Sequence, residues 1–151
     1  MSDLSELYQQ MILEHHKNPR NFRRIENPSF FAEGHNPLCG DKLKLYLNVD
    51  AEGKMTDLAF EGSGCAISKA SASMMTAALK DKTRAETKQL FEEFHNLVTG
   101  KLKPDKEPHH LGKLTVFSGI WGYPSRVKCA SLCWHTLMNA LDSKTGVAKT
   151  E

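Results

Sequence analysis

Asn36-Pro37-Leu38-Cys39-Gly40-Asp41 sets a thiol and a carboxylate two positions apart, with one glycine between them. Glycine accepts backbone angles that other residues resist, so this loop can fold tightly and turn both side chains toward one point. A soft thiolate and a hard carboxylate aimed at one point suggest a divalent metal, and zinc accepts both. A lone Cys-x-Asp fits any polar loop. Two further stretches, Gly62-Ser63-Gly64-Cys65 and Arg126-Val127-Lys128-Cys129, make it part of a pattern.

Upstream of the loop, Phe30-Phe31-Ala32-Glu33-Gly34-His35 reads as a short strand running into it. Downstream, Leu43, Leu45, Leu47 and Val49 alternate with Lys44, Tyr46 and Asn48, the period of a half-buried strand. Asp50-Ala51-Glu52-Gly53-Lys54 is a hairpin turn with its glycine where a bulge needs it, and Met55 to Glu61 forms the return strand. The loop therefore belongs to a small antiparallel sheet of two or three strands. Ahead of it, Leu4, Tyr8, Met11, Ile12 and His15 recur at helical spacing, with Ser2 or Asp3 as cap and Asn18-Pro19 as stop.

After Cys65 the period changes. Ile67, Ala70, Ser71, Met74, Met75 and Ala78 fit a helix whose small-residue face suits close packing on a sheet. Thr83 opens a second helix, with Glu86 completing a capping box and an apolar face of Leu90, Phe91, Phe94, Leu97 and Val98. Residues 99–110 are charged, contain proline and show no period, so they read as a loop. Leu114-Thr115-Val116-Phe117 is ambiguous between strand and helix. The last helix runs from about residue 125 to 143, with Val127, Ala130, Trp134, Leu137, Met138 and Leu141 as its buried stripe. The tail after about residue 146 is expected to be disordered. No repeat interrupts the pattern, and residues 1–151 read as one domain.

A chain of 151 residues is long enough for a real core, and a net charge of +2 with no basic run gives no reason to expect nucleic acid. The opening residues lack a charged-then-apolar export pattern, and no apolar run approaches the roughly 20 residues that span a bilayer. The expectation is a soluble cytoplasmic protein with no membrane partner. In that reducing setting the four cysteines, Cys39, Cys65, Cys129 and Cys133, point to metal binding, catalysis or plain burial rather than disulfides.

Cys65 stands just ahead of one helix and Cys129 in the first turns of another, where the partial positive charge of a helix start favours thiolate. Cys39, Asp41, Cys65 and Cys129 together offer three sulfurs and one oxygen, the four-coordinate set that zinc prefers. With Zn²⁺ the formal charge is about −2, so the flanking Arg126 and Lys128 are well placed. Spacing alone leaves open that these are inert, buried cysteines, since none forms the tight pair of a zinc finger. Cys133 shares a helix face with Cys129 and reads as core filling, or else as a reserve ligand or second sulfur acceptor. His135 points away from Cys129. His15 and His16 are adjacent and cannot both face one site, which suggests surface or capping use; His109 and His110 read as solvated. Trp121 and Tyr123 are either partner contacts or a plug over the core.

Asn-Pro-x-Cys-Gly-Asp at 36–41, Gly-x-Gly-Cys-x-Ile-Ser-x-Ala-Ser at 62–71 and a cysteine at the start of the last helix resemble the U-type iron–sulfur assembly family, as do Tyr8, Glu14-His15 and Asn18-Pro19-Arg20-Asn21. The resemblance covers nearly the whole chain. It implies an α/β fold of the α+β type, with a small three-stranded antiparallel sheet packed against several helices. Scaffold members (IscU) carry a histidine before the third cysteine, where this chain has Lys128, and a Leu-Pro-Pro-Val-Lys motif where it has Ile120-Trp121-Gly122-Tyr123-Pro124. The segment between Cys65 and Cys129 is also long, holding the loop around Lys101 to His110. These departures are similar to the SufU type, zinc-containing sulfur-transfer proteins. The resemblance then implies that a SufS-like cysteine desulfurase hands persulfide sulfur to Cys39, while Asp41, Cys65 and Cys129 keep one zinc. A histidine of the partner takes Cys39's place on the metal, and the sulfur passes on to a downstream iron–sulfur scaffold. Arg126 matches an arginine of that subtype and joins Cys39 as a candidate for the chemistry.

Two other functions compete. The same four residues could hold a [2Fe–2S] unit and make the protein a scaffold, although Lys128 in place of histidine argues against it. A purely structural zinc domain would normally use a closed site without a labile loop carboxylate.

Overall fold

The computed structural model describes residues 2–142 and 147–149. The elements run α1 (Ser2–Lys17), β1 (Phe30–Asn36), β2 (Asp41–Val49), β3 (Met55–Ser63), α2 (Ala66–Leu79), α3 (Arg84–Val98), a 3-10 helix (Gly112–Ile120), α4 (Pro124–Leu141) and β4 (Val147–Lys149). β1, β2 and β3 form the expected antiparallel meander, so the mixed α/β class holds. Along β2, Leu43, Leu45 and Leu47 are buried while Lys42 and Lys44 are exposed, as the alternation requires. The hairpin after β2 carries its irregularity between Asn48 and Val49, and Gly53 takes φ +86° in the turn.

The inner face of the sheet packs on α4 and α2, and α1, α3 and the 3-10 helix close over those two helices. α2 approaches closely because its buried residues include Ala70, Ser71, Ala72 and Ser73. Ser71 Oγ donates to the Ala130 carbonyl at 2.6 Å, which ties α2 to α4 at a buried point. Trp134, Phe94 and Phe117 centre the core, with Phe94 stacked on Trp134 at 4.7 Å. The capping box of α3 is present, Thr83 receiving the Glu86 N–H and Glu86 the Thr83 N–H.

Several expectations change. The ambiguous segment at 114–117 is a 3-10 helix with Leu114, Val116 and Phe117 buried. α1 already includes Ser2 and Asp3, so neither precedes it as a cap. α4 ends at Leu141, and residue 143 lies outside the described residues. The tail was expected to be disordered from about 146, but Val147–Lys149 pair in parallel with β1 and extend the sheet to four strands. β1 is otherwise an edge whose free N–H and C=O groups accept such a segment. Residues 143–146 and 150–151 lie outside the described residues. His15, read as a surface or capping residue, is buried, with Nδ1 2.7 Å from Ser73 Oγ. It falls on the side of α1 that packs on α2, whereas His16 is exposed.

Candidate metal centre

Asn36 and Asp41 are opposite partners at the end of the β1–β2 ladder, so residues 37–40 form the turn between them. Gly40 takes φ +71° there. The turn holds Cys39 exposed while Asp41, first residue of β2, is buried. Cys65 follows the end of β3 and is the N-cap of α2, its sulfur accepting the Ser68 N–H at 3.4 Å. Cys129 is buried in the second turn of α4. The three ligand segments thus meet at one end of the sheet.

Donor atoms of Cys39, Asp41 and Cys129 all lie within 4.8 Å of one another. The sulfurs of Cys129 and Cys39 are 3.4 Å apart, and Cys65 Sγ lies 3.8 Å from Asp41 Oδ2. Tetrahedral zinc with bonds of about 2.3 Å to sulfur needs sulfurs separated by about 3.8 Å. The spacing and the soft-plus-hard donors of Cys39, Asp41 and Cys129 suit a divalent metal such as zinc, while Cys65, the fourth predicted ligand, stands beside Asp41 but outside this mutually close group.

Asp41 is held from two sides. Its Oδ1 accepts the Cys65 N–H at 2.8 Å, and Asn36 Nδ2 lies 3.5 Å from its Oδ2. Asn36 Nδ2 also lies 3.6 Å from Cys129 Sγ, so one buried amide addresses both a carboxylate and a sulfur. Its Oδ1 accepts the Leu38 N–H at 3.2 Å, which shapes the turn. Asn36 thus joins the site through its amide, and its place before a proline at a strand end is the sequence signal that marks it.

The thiols are not equivalent. A hydrogen bond shared with Cys129 draws the Cys65 thiol down to about 7 against its burial, and the Ser68 and Ile67 backbone groups add to this. The same bond and burial push Cys129 up. The helix-start argument thus applies to Cys65 at the N-cap and fails for Cys129, which lies too deep in α4. Cys133 is fully enclosed beside Ser71 Oγ at 3.4 Å, and burial pushes its thiol up to about 12. It fills core, as expected. His135 is half-buried against Phe91, with ring centroids 5.5 Å apart. His110 is exposed and paired with Glu93 at 2.9 Å.

Arg126 lies one helical turn ahead of Cys129, its guanidinium 4.5 Å above the Tyr123 ring. Trp121 and Tyr123 are 59% and 53% exposed, so both stand out from the surface rather than plugging the core. Leu38, beside Cys39, is 65% exposed. No helix among the described residues is long and apolar enough to cross a membrane.

Comparison with known proteins identifies the family and the fold. The family model for the NifU-like N terminal domain matches residues 7–130. The zinc-dependent sulfurtransferase SufU of Bacillus subtilis is 39% identical over 150 residues, covering 99% of this chain and 95% of the relative. The iron–sulfur cluster assembly scaffold protein IscU of Streptococcus pyogenes is 35% identical over 141 residues, covering 93% and 86%. A crystal structure from Fervidobacterium islandicum AW-1, assigned as an iron–sulfur cluster assembly scaffold protein for the SUF system, superposes with a TM-score of 0.81 at 35% identity, covering 90% of this chain and 97% of that one.

Proposed function

Because the chain belongs to the NifU-like N-terminal domain family, which here includes relatives of both the SufU and IscU kinds, we propose that it serves iron–sulfur cluster assembly as a zinc-dependent sulfur acceptor. Cys39 takes sulfur from a cysteine desulfurase persulfide and passes it to a downstream scaffold. The observation that carries this reading is the contrast within the donor set: Cys39 is exposed on a turn, whereas Asp41 and Cys129 are buried in regular elements. Asp41, Cys65 and Cys129 would retain the zinc. Bound there, zinc would keep the thiolates deprotonated and damp the nucleophilicity of any sulfur still attached to it.

The transfer is thiol–disulfide chemistry without net oxidation. The Cys39 thiolate attacks the outer sulfur of the donor persulfide, the donor S–S bond breaks, and the donor cysteine leaves as a thiolate. Arg126, stacked on Tyr123 and facing solvent, is suited to meet the anionic sulfur as it arrives. Exposed Leu38 and Tyr123 offer the apolar contacts that a docked desulfurase needs.

A scaffold reading is favoured by the half-exposed Cys65 together with Cys39, which leave two sulfurs accessible to a cluster. One experiment separates the two. The purified protein is assayed for metal and absorbance, then incubated with a cysteine desulfurase and cysteine without reductant, and its peptides are weighed. Zinc without visible absorption, and one added sulfur on the Cys39 peptide, support transfer. A brown iron-containing protein supports the scaffold. Added sulfur on Cys133, or on a Cys39→Ser variant, refutes the assignment of the acceptor.

A further inference from the structure

A cleft of about 390 Å³ opens between the C-terminal halves of α1 and α2, the middle of α3 and the start of the 3-10 helix. It lies apart from the cysteines: Met74, which lines it, stands nine residues beyond Cys65, roughly 14 Å along the axis of α2. The floor is apolar, formed by Met74, Ala78, Leu90, Leu111 and Leu114. The rim is basic, carrying Arg20, Lys82, His110 and Lys113, and no carboxylate lines the cleft. Arg20 is paired with Glu14 and His110 with Glu93, but Lys82 and Lys113 have no ion-pair partner among the described residues. An apolar space of this size with a few polar groups converging on it is the usual form of a small-ligand site.

One of those polar groups comes from the wall. His15 lines the cleft and is only 7% exposed. Ser73 Oγ accepts the Arg20 N–H at 2.8 Å and lies 2.7 Å from His15 Nδ1. The serine's own hydrogen is thus left for Nδ1, and the neutral ring then carries its hydrogen on Nε2. Burial first, then the Arg20 charge, lower the His15 pKa and favour that neutral ring. Nε2–H is a donor without an acceptor among the described residues, on a nearly buried ring at the edge of an empty space. An anion in the cleft supplies the acceptor and meets the two unpaired ammonium groups, and an apolar body attached to it covers the leucines. We propose that this cleft binds a small organic acid, its anionic group held between His15 Nε2, Lys82 and Lys113 and its apolar body laid on Leu90, Leu111 and Leu114. The inference is independent of the metal centre.

The probe is 1-anilinonaphthalene-8-sulfonate, an acid of this kind whose fluorescence rises in an apolar site. Titration of the folded protein is expected to saturate at one dye per chain, with amide NMR shifts confined to the ends of α1 and α2, to α3 and to residues 110–114. Lys82→Glu combined with Lys113→Glu should weaken the dye about 10-fold or more. Lys101→Glu combined with Lys106→Glu makes the same change of net charge at exposed positions outside the cleft and should stay within about 2-fold of wild type. N-phenyl-1-naphthylamine, the same body without the sulfonate, and inorganic phosphate, an anion without a body, should each bind at least about 10-fold more weakly. Ala77→Leu narrows the cleft from α2 with a good helix former and should also weaken the dye; it decides the matter if the lysine variant melts lower than wild type. Unsaturable binding, many dyes per chain, or shifts elsewhere overturn the proposal. So does undiminished binding to the lysine variant or to Ala77→Leu, and so does phosphate or the uncharged amine binding as tightly as the dye.

Discussion

Gly64→Ala tests the link between backbone geometry and the metal centre most directly. Gly64 takes φ +150°, and a Cβ there would stand 2.2 Å from Asp41 Oδ1 and 2.9 Å from Asp41 Cα. To regain ordinary contact at 3.4 Å the carboxylate must retreat by about 1.2 Å. The backbone of Asp41 is fixed in its ladder with Asn36, so it cannot follow freely. A retreat of that size breaks the 2.8 Å bond from the Cys65 N–H, which both aims Asp41 and seats the N-cap of α2. A hydrogen bond to a charged group is worth about 1.5–3 kcal/mol, and a glycine-only backbone adds about 1–3 kcal/mol of strain. The sum is on the order of 3–6 kcal/mol, a large share of a typical folding free energy. We expect the melting temperature to fall by about 10 °C or more and zinc to be lost at chelator concentrations that wild type withstands. Gly40→Ala is the control. It lies in the ligand turn at φ +71° with nothing within 4 Å of the added carbon, so it should cost only about 1–2 kcal/mol and keep its zinc. If Gly64→Ala binds zinc as tightly as wild type, the reasoning that this glycine makes room for Asp41 is refuted.

Chelation should lower the melting temperature of wild type more than that of Cys65→Ala or Cys129→Ala, because metal-binding energy is folding energy; equal shifts in scanning calorimetry would sink the linkage. Thr83→Ala removes the side chain that accepts the Glu86 N–H and should cost about 1 kcal/mol in urea unfolding, whereas no change would show that α3 does not depend on its cap. Burial, then the Arg20 charge, lower the His15 pKa, so the unfolded chain takes up this proton more readily than the folded one. The contribution of neutral His15 is therefore complete above its ordinary value of about 6.5 and is lost as pH falls through the depressed one. His15→Gln should flatten the acid-side fall of the melting temperature below about pH 6.5, and an unchanged slope would count against it.

Much of the fold was legible because its signals are local. The alternation of Leu43, Leu45 and Leu47, the Thr83–Glu86 box and the small-residue face of α2 each arise within a few residues, and the backbone obeys them wherever they occur. The chemical types of Cys39, Asp41, Cys65 and Cys129 were equally legible, as were the turn and the cap on which Cys39 and Cys65 ride. Their convergence was not written in any window. Cys39 and Cys129 stand 90 residues apart in sequence and 3.4 Å apart in space, because α4 packs across β1 and is pinned to α2 through Ser71. Such packing depends on the shapes of whole faces, which no spacing rule encodes. For the same reason only the assembled fold showed that Asn36 serves Asp41 and Cys129 together, that His15 is buried on Ser73, and that Val147–Lys149 close the open edge of β1. It also separated the thiols: the hydrogen bond that the two sulfurs share lowers the pKa of Cys65 at its helix cap and, with burial, raises that of Cys129.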